Sequence, residues 1–354
     1  MKKNFLDNPV EHIDIKAIDL RKLVTANKGM SFVARDTATA ADIYNRMMKN
    51  KKCSIILVIA GSATAAGCLH IPIDLIESNM VDAIVATGAT VVDMDFFEGL
   101  GFRHYQGSQF VDDEELRKAM IDRIYDTFIS EKDLQECDKA ILKIADSLPP
   151  RPHSSQQFIA AMGKYLIDNN CPGRSMVKAA YLKSIPIFVP AFSDCSAGFG
   201  LSKHQFERQQ KGAPFLTLDS VKDFWDLTKI VVKANEDGGT TGLFMIGGGS
   251  PKNFAQDTIV NAEMLGYEVG MHKYAVQITV ADSRDGACSS STLKEANSWG
   301  KVRGEEQMVF AEATSVWPQI ASYVYHKKEW LEREDKKYLK FLNEGGKLPL
   351  PTKA

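Results

Sequence analysis

The sequence Ser54-Ile-Ile-Leu-Val-Ile-Ala60, followed by Gly61-Ser62, decides the fold of this chain. Its continuous apolar run is typical of a strand that is buried on both faces of a parallel sheet. An apolar helix through Ile76 and a second apolar run, Val81-Asp-Ala-Ile-Val-Ala86, complete a compact β-α-β unit. Because parallel strands need a crossover connection, usually a helix, this unit predicts an α/β protein.

The same alternation of short apolar runs and helical patterns continues toward the C-terminus. Further strands are predicted at 185–190, 215–218, 243–246, 274–281 and 308–311, and helices at 31–50, 221–234, 251–265 and 317–334. We therefore predict a doubly wound, Rossmann-like parallel sheet with helices on both faces. Residues 91–180 are predicted to be mostly helical. A single domain is expected over residues 31–340, preceded by an N-terminal arm (1–30) and followed by a C-terminal tail (341–354).

Composition and charge exclude several classes of protein. The chain has 354 residues, 44% of them hydrophobic, and its 43 Lys+Arg and 45 Asp+Glu give a net charge of -2. This balance argues against a partner that is bound by phosphate neutralisation, such as a nucleic acid. No apolar run reaches the roughly 18 residues needed to cross a bilayer, and the N-terminus lacks the apolar segment of a signal peptide. The six cysteines and seven histidines show no metal-binding spacing. We expect a cytoplasmic protein without a metal or a membrane partner.

Small residues follow several of the predicted strands. Thr87-Gly88-Ala89-Thr90 follows the second strand, and Gly247-Gly-Gly249 lies between a predicted strand and a helix. Ligands of open α/β sheets bind beyond the carboxyl ends of the strands. Glycines let a phosphate approach the backbone, and a helix N-terminus offers unpaired N–H groups. No G-x-G-x-x-G motif occurs, so tight packing is an equally good interpretation of these glycines.

The segment Glu295-Ala-Asn-Ser-Trp-Gly-Lys301 combines a carboxylate, a tryptophan and a lysine. Most lysines are solvated surface residues, which is the simple interpretation of Lys301. A lysine in an apolar, partly desolvated pocket loses its proton more easily and can form a Schiff base. The pattern alone leaves both interpretations open.

Together these motifs carry a family resemblance. The order Gly247-Gly-Gly249-x-Pro-Lys252, then Asp285-Gly286, then Ser298-Trp-Gly-Lys301 resembles the deoxyhypusine synthase family, and the resemblance covers about residues 30–330. It implies an NAD-dependent transferase of alkyl groups. In this family NAD removes a hydride from spermidine, a lysine captures the aminobutyl group as an imine, and the group passes to an acceptor amine. The resemblance also implies a homotetramer whose sites are shared across a dimer interface.

The resemblance assigns roles to individual positions. Lys301 would form the imine, and Glu295 and Trp299 would contact the polyamine substrate. The other substrate positions are Asp93, Asn253, Gly286 and Cys288. The NAD-binding positions are Gly61, Ser62, Ala65, Thr87, Gly88, Ala89, Asp194, Gly248, Gly249, Thr279, Glu312 and Ala313.

Four positions of the substrate pocket lack the charged or titratable residue of the family. They are Val92, Phe199, Asn253 and Cys288. Because a bound polycation needs carboxylate partners, spermidine recognition is expected to have changed while the imine chemistry persists. The acids that could still hold a cation, each of which could equally cap a helix or a loop, are Asp93, Asp282, Asp285 and Glu295.

Several functions remain open at this point. The acceptor could be a protein lysine, as on a translation factor 5A-like partner, or a small amine such as putrescine, as in homospermidine synthases. A different class of function is a catalytically weak regulatory paralogue that binds an active partner subunit. A further alternative makes Cys288 a nucleophile, although no histidine is close to it in the sequence.

Overall fold

A computed structural model describes residues 5–284 and 291–351. Its strands are β1 (Cys53–Ile59), β2 (Ala83–Ala86), β3 (Tyr105–Gln106), β4 (Ile121–Ile124), β5 (Thr127–Ser130), β6 (Pro152–His153), β7 (Ile187–Phe188), β8 (Thr217–Leu218), β9 (Thr240–Ile246), β10 (His272–Thr279) and β11 (Val302–Phe310). Its α-helices are α1 (Arg21–Asn27), α2 (Phe32–Lys49), α3 (His70–Glu77), α4 (Phe97–Gly99), α5 (Asp113–Ala119), α6 (Glu131–Ser147), α7 (Ser155–Asp168), α8 (Met176–Lys183), α9 (Ser196–Gln210), α10 (Ser220–Asn235), α11 (Gly249–Met264), α12 (Leu293–Ala296), α13 (Ala313–Lys327) and α14 (Tyr338–Asn343).

The central sheet has six parallel strands in the order β11-β10-β9-β1-β2-β7. From β1 the chain winds outward through β2 to β7, and then returns to β9 on the other side of β1. The strand order therefore reverses between β1 and β9, which is the switch point of a Rossmann-type sheet. The predicted doubly wound parallel sheet is confirmed.

Helices cover both faces of this sheet. Alternate residues of β1 point in opposite directions, as the period of a strand requires. Leu57 and Ile59 belong to the core beneath α2 and α13, whereas Ile56 and Val58 belong to the core beneath α10 and α11. All seven residues of β1 are buried, which explains the unbroken apolar run at residues 55–59.

Residues 91–180 are mostly helical, as predicted, but they also contain short strands that the sequence did not indicate. Strands β3, β5 and β4 form a three-stranded antiparallel sheet. Tyr125 lies in the turn between β4 and β5, and Met120 ends α5 just before β4. Both take left-handed backbone conformations, with φ of 55° and 59°. Such positions usually carry glycine or asparagine. The sequence therefore lacks the usual signal of a hairpin here.

The strand predicted at 215–218 exists in part but lies outside the central sheet. Thr217–Leu218 pairs with Pro152–His153 in a separate two-stranded sheet. The last strand of the central sheet is longer than predicted and begins at Val302. The closing helix begins at Ala313 and ends at Lys327, where Lys328 takes a left-handed conformation with φ of 62°.

Segments near both ends of the described chain contact the rest of the fold. Near the N-terminus, Pro9 forms an antiparallel bridge with Tyr105. Near the C-terminus, Arg333 forms a buried ion pair with Asp82, just before β2. Within the described ranges, 5–284 and 291–351, no helix has the length and apolar character that a membrane span requires.

Candidate functional site

The loops that follow β1 and β9 meet at the switch point of the sheet. The backbone N–H of Ala60 donates to the carbonyl oxygen of Ile246 at 2.8 Å. Gly247 has a φ of 75°, and a Cβ atom there would lie 2.8 Å from the carbonyl oxygen of Ala60. Only glycine fits this close approach of two backbones. The following Gly248 is the N-cap of α11, so the helix N-terminus opens at the same place.

The loop after β2 connects this region to the loop after β7. Thr90 Oγ1 donates to the carbonyl oxygen of Gly61 at 3.2 Å, and it lies 2.9 Å from Thr87 Oγ1. A Cβ atom at Gly88 would lie 2.7 Å from Cys195 Sγ and 3.5 Å from the carbonyl oxygen of Asp194. The sheet therefore brings these predicted cofactor positions together from loops far apart in sequence.

The other predicted cofactor positions lie at the same edge of the sheet. Thr279 ends β10, and its Oγ1 accepts a hydrogen bond from the backbone N–H of Ala281 at 3.1 Å. Glu312 is the N-cap of α13, and Ala313 begins that helix. Burial, and to a lesser extent the charge of Glu312, raises the pKa of Cys68 to about 12. Helix α13, which Glu312 caps, packs against Thr64–Cys68, the segment after β1 that follows Ser62 and includes Ala65. Cofactor binding by these positions stays a prediction.

Lys301 lies at the opposite end of the strands from these loops, where β10 and β11 begin. It immediately precedes β11, and its carbonyl oxygen accepts a hydrogen bond from the N–H of His272, the first residue of β10. Thr279 is the last residue of β10, seven residues further along. At ~3.3 Å per residue, the backbones of Lys301 and Thr279 are about 23 Å apart. Within one chain, Lys301 and the glycine loops are therefore separated by the length of the sheet.

The amino group of Lys301 has two neighbours. Its Nζ lies 2.6 Å from Asp257 Oδ1 and 5.4 Å from the centre of the Trp299 ring. The lysine side chain is only 12% exposed, whereas Trp299 is 63% exposed. A tryptophan face attracts a cation, and an exposed ring can also cover a bound ligand. The simple interpretation of Lys301 as a solvated surface lysine does not agree with this geometry.

Asp257 was not among the residues that the sequence indicated. It lies on α11, eight residues after Gly249, and 44 positions before Lys301 in the chain. One sequence signal could have found it. Residues four apart lie on the same face of a helix, and Asp257 is four residues after Asn253, a predicted substrate position.

Glu295 caps a helix in this structure. The N–H of Thr292 donates to Glu295 Oε2 at 2.6 Å, and the N–H of Glu295 donates to Thr292 Oγ1 at 3.2 Å. This reciprocal pair is a capping box at the start of α12. The hydrogen bonds from Thr292 lower the pKa of Glu295, which keeps this exposed carboxylate ionised. Its contact with a substrate stays a prediction.

The other predicted substrate positions differ in their contacts and in their burial. Asp93 Oδ1 accepts a hydrogen bond from the N–H of Ser196 at 3.0 Å, and burial raises the pKa of Asp93. Asn253 lies partly buried on α11. Asp282 forms an exposed ion pair with Arg284. Asp285, Gly286 and Cys288 lie outside the described residues.

The fold and the loop cluster define a doubly wound α/β protein with a Rossmann-type switch point. The chain belongs to the deoxyhypusine synthase family, because the family model of deoxyhypusine synthase matches residues 22–324. A deoxyhypusine synthase-like protein of Coxiella burnetii (strain RSA 493 / Nine Mile phase I) is 57% identical over 340 residues, covering 96% of this chain and 95% of the relative. One of Caulobacter vibrioides is 55% identical over 345 residues, covering 97% and 93%.

More distant relatives agree with this assignment. A Methanosarcina acetivorans protein named "Probable deoxyhypusine synthase 2" is 35% identical over 331 residues, covering 93% of each chain. A crystal structure of a candidate deoxyhypusine synthase from Entamoeba histolytica has a TM-score of 0.55 at 20% identity, covering 96% of this chain and all of that one. At this identity the likeness concerns the fold. Family membership implies a transferase of the aminobutyl type.

Metal binding has no visible site in the part of the chain that the structure describes. No group of three or more His, Cys, Asp or Glu side chains there is arranged to hold a metal ion.

Proposed function

We propose that the protein is an NAD-dependent aminobutyl transferase that acts on a polyamine or another small amine through an imine on Lys301. The observation that carries the proposal is the placement of Lys301 between Asp257 and the Trp299 ring in a chain of this family. NAD, when bound, accepts a hydride from the donor amine and later returns it. The glycine loops fit this cofactor because their backbones are open to a phosphate group and α11 begins there.

Lys301 and its neighbours would carry out the transfer. Once the donor is oxidised to an imine, the neutral amine of Lys301 attacks the imine carbon and the original amine leaves. Asp257 Oδ1, at 2.6 Å from Nζ, is in position to take the lysine proton before this attack. The acceptor amine would then displace Lys301 in the same way, forming a new imine, and the reduced cofactor, when bound, would supply the hydride that turns this C=N bond into a C–N single bond.

The separation of Lys301 from the glycine loops suggests how the site is assembled. Lys301 lies about 23 Å from the loops after β9 and β10 of its own chain. We infer that Lys301 of one protomer meets the glycine loops of another in a homo-oligomer. This arrangement predicts complementation between two inactive variants, Lys301→Ala and Asp194→Ala. Mixed at equal amounts, they should recover about one quarter of the wild-type rate, because half of the dimers are mixed and each has one intact site. No recovery in mixed oligomers contradicts shared sites.

The chemistry can be tested by trapping the imine. The protein is incubated with NAD and either spermidine or putrescine, borohydride is added, and the modified residue is identified by mass spectrometry. A mass increase on Lys301 is expected, and it should disappear in Lys301→Ala. Lys294→Ala is the matched control, because Lys294 is exposed in the same segment and should not affect the labelling. Full transferase activity of Lys301→Ala contradicts the mechanism.

Product identification in the same experiment separates the possible acceptors. Homospermidine from putrescine alone indicates a homospermidine synthase-type enzyme, whereas transfer to a translation factor 5A-like protein indicates a protein-lysine acceptor. The regulatory alternative predicts a different result. In that case the purified chain shows no labelling or turnover alone and raises the activity of a partner subunit.

A further inference from the structure

His272 is a fully buried histidine beside Lys301 that takes no part in the proposed chemistry. It is the first residue of β10, and its backbone N–H donates to the carbonyl oxygen of Lys301 at 3.0 Å. Its ring lies between β9 and α11, with Nδ1 2.7 Å from Thr241 Oγ1 and Nε2 3.3 Å from the carbonyl oxygen of Ala255. One residue therefore contacts both the segment that carries Lys301 and the helix that carries Asp257.

The contacts of the His272 ring determine its tautomer. The carbonyl oxygen of Ala255 can only accept a hydrogen bond, so Nε2 carries the proton that is donated to it. Burial lowers the pKa of His272 to about 4, so the ring is neutral at neutral pH. Its Nδ1 then accepts a hydrogen bond from the hydroxyl group of Thr241. The two hydrogen bonds hold the ring in one orientation, so a rigid group connects β10 to α11.

The peptide group that the ring contacts is close to Asp257 along α11. Ala255 lies two residues before Asp257, which is about 3 Å of helix rise. Its carbonyl oxygen also accepts a hydrogen bond from Thr258 Oγ1 at 2.6 Å. Ala255 and Thr258 are buried, whereas the Asp257 side chain is half-exposed and pairs with Lys301. Buried hydrogen bonds therefore anchor the turn of α11 from which Asp257 reaches the lysine.

The start of β11, directly after Lys301, contains a β-bulge. Strand β11 has one residue more than β10 between the pairs that His272 and Tyr274 form with it. Gly304 lies in this bulge, and a Cβ atom there would be 2.2 Å from the carbonyl oxygen of Lys273. Bulges bend a strand and redirect the side chains beside them, and they are frequent next to active sites. The course of the chain after Lys301 therefore depends on a residue without a side chain.

We propose that His272 is a positioning residue whose ring, together with the bulge at Gly304, holds α11 and the start of β11 so that Asp257 stays paired with the amino group of Lys301. The ring itself touches no reacting atom. This inference rests on the proposed function, because Lys301 is the lysine that would form the imine. Changes at His272 should act through Asp257 and slow the attack of Lys301, since a displacement of about 1 Å can cost ~100-fold in rate.

Chemical labelling of lysines tests this placement without relying on turnover. The folded protein is treated with a limiting amount of acetic anhydride, and mass spectrometry gives the acetylation rate of Lys301 relative to that of exposed Lys294. Pairing with Asp257 and burial shield Lys301 from the reagent. His272→Leu and Asp257→Asn should each raise the relative rate about 3- to 10-fold, and the double variant should react no faster than Asp257→Asn alone, as expected for residues that act on one contact.

Two variants separate positioning from general loss of packing. His272→Gln should restore the wild-type acetylation rate to within about 2-fold, because an amide N–H can replace the donor that Ala255 requires. His153→Leu is the matched control, since His153 is also buried and contacts a backbone carbonyl, that of Pro149 at 2.9 Å, but lies in β6 outside the central sheet. It should leave the labelling of Lys301 unchanged. Equal acetylation of Lys301 in His272→Leu and His272→Gln overturns the proposal.

Milder changes keep the test informative if His272→Leu does not fold. Thr241→Val keeps the shape of its side chain and removes the hydroxyl group that orients the ring, so it should raise the relative acetylation rate about 2-fold. Gly304→Ala should raise it as well, because its Cβ would displace the bulge from Lys273. Gly212→Ala, with a φ of 60° and open space around it, is the control for this second change. Wild-type acetylation in both Thr241→Val and Gly304→Ala overturns the proposal.

The imine experiment separates this inference from the proposed function. With NAD and saturating putrescine or spermidine, the rate of borohydride trapping at Lys301 should fall about 10- to 100-fold in His272→Leu, while the half-saturating amine concentration stays the same. The same change should have little further effect in Asp257→Asn. Wild-type acetylation and trapping rates in a folded His272→Leu variant refute the positioning role alone. The expected acetylation pattern without a trapped imine in any variant, wild type included, refutes the transferase mechanism alone.

Discussion

Replacing Arg333 with methionine removes the cation that anchors the C-terminal segment to the central sheet. Arg333 Nη2 lies 2.6 Å from Asp82 Oδ2, and the two side chains are only 1% and 3% exposed. The guanidinium also donates to the carbonyl oxygens of Asn79 at 2.8 Å and Cys53 at 3.2 Å. Asp82 keeps one further donor, the N–H of Ile55 at 2.7 Å. Arg333→Met therefore leaves a buried carboxylate with the hydrogen bond from Ile55 but without its ion-pair partner.

The expected loss in the free energy of unfolding follows from the isolation of the Asp82 carboxylate. Removing one partner of a buried ion pair costs about 3–5 kcal/mol, because the remaining charge stays desolvated. Burial already raises the pKa of Asp82 in the presence of Arg333. In Arg333→Met the carboxyl group will take up a proton more readily, so the loss of stability should be largest at neutral pH and should shrink as the pH falls. The sign follows because a protonated, neutral Asp82 no longer needs the missing cation.

Urea unfolding followed by tryptophan fluorescence measures this effect at one fixed protein concentration, since assembly also contributes to stability. Arg303→Met is the control, because Arg303 is exposed and should change the free energy of unfolding by less than about 0.5 kcal/mol. The double variant Asp82→Leu/Arg333→Met should be more stable than the sum of the two single changes predicts, by about 2 kcal/mol or more. Strictly additive losses, or a loss below about 1 kcal/mol in Arg333→Met, would refute this account.

Two further predictions concern the glycine loops and Asp223, a buried residue in the first turn of α10 whose carboxylate accepts hydrogen bonds from the backbone N–H groups of Ser155 and Gln156. Gly247→Ala should abolish NAD binding in a fluorescence titration, because its Cβ would displace the loop after β1. Gly238→Ala is the control and should retain binding, since Gly238 has a similar φ of 71° but open space around it. Equal NAD binding by the two variants contradicts the argument that the loop at Gly247 is too tight for a side chain. Burial raises the pKa of Asp223 to about 7, so the folded chain holds a proton that the unfolded chain releases near pH 4. Its contribution to stability is therefore complete at low pH and is lost as the pH rises toward 7. Asp223→Asn should flatten the decline in unfolding free energy over that range by up to about 1.4 kcal/mol per pH unit, and parallel curves for the two proteins would disprove it.

Sequence patterns predicted those parts of the fold in which the polarity of the residues reflects their burial. Strands β1 and β9 are buried over nearly their whole length, and each contains an uninterrupted apolar run, at residues 55–59 and 243–246, that is visible without knowledge of its partners. The hairpin of β4 and β5 escaped prediction because Tyr125 occupies a left-handed turn that usually carries glycine. The run around Thr217 was recognised as a strand, but no local pattern could show that it pairs with β6 outside the central sheet.

The candidate site also has parts that the sequence indicates and parts that depend on tertiary packing. Loops of small residues after parallel strands are recognisable in sequence, and the structure brings Gly61, Thr87 and Gly88 to one edge of the sheet. The contact between Lys301 and Asp257 depends on how α11 packs beside the start of β11, which spacing along the chain does not encode. Family resemblance indicated the lysine but not its carboxylate neighbour.

Carboxylates elsewhere in the fold lie close to some of the altered pocket positions. Asp138 lies on α6, in contact with the helix that carries Phe199, and Asp257 lies one helical turn after Asn253. Two of the positions that lack a charged or titratable side chain therefore have a carboxylate close by. An enzyme that binds an amine of different length or shape needs such a group. The placement of Asp138 and Asp257 thus favours an active transferase with a changed amine substrate.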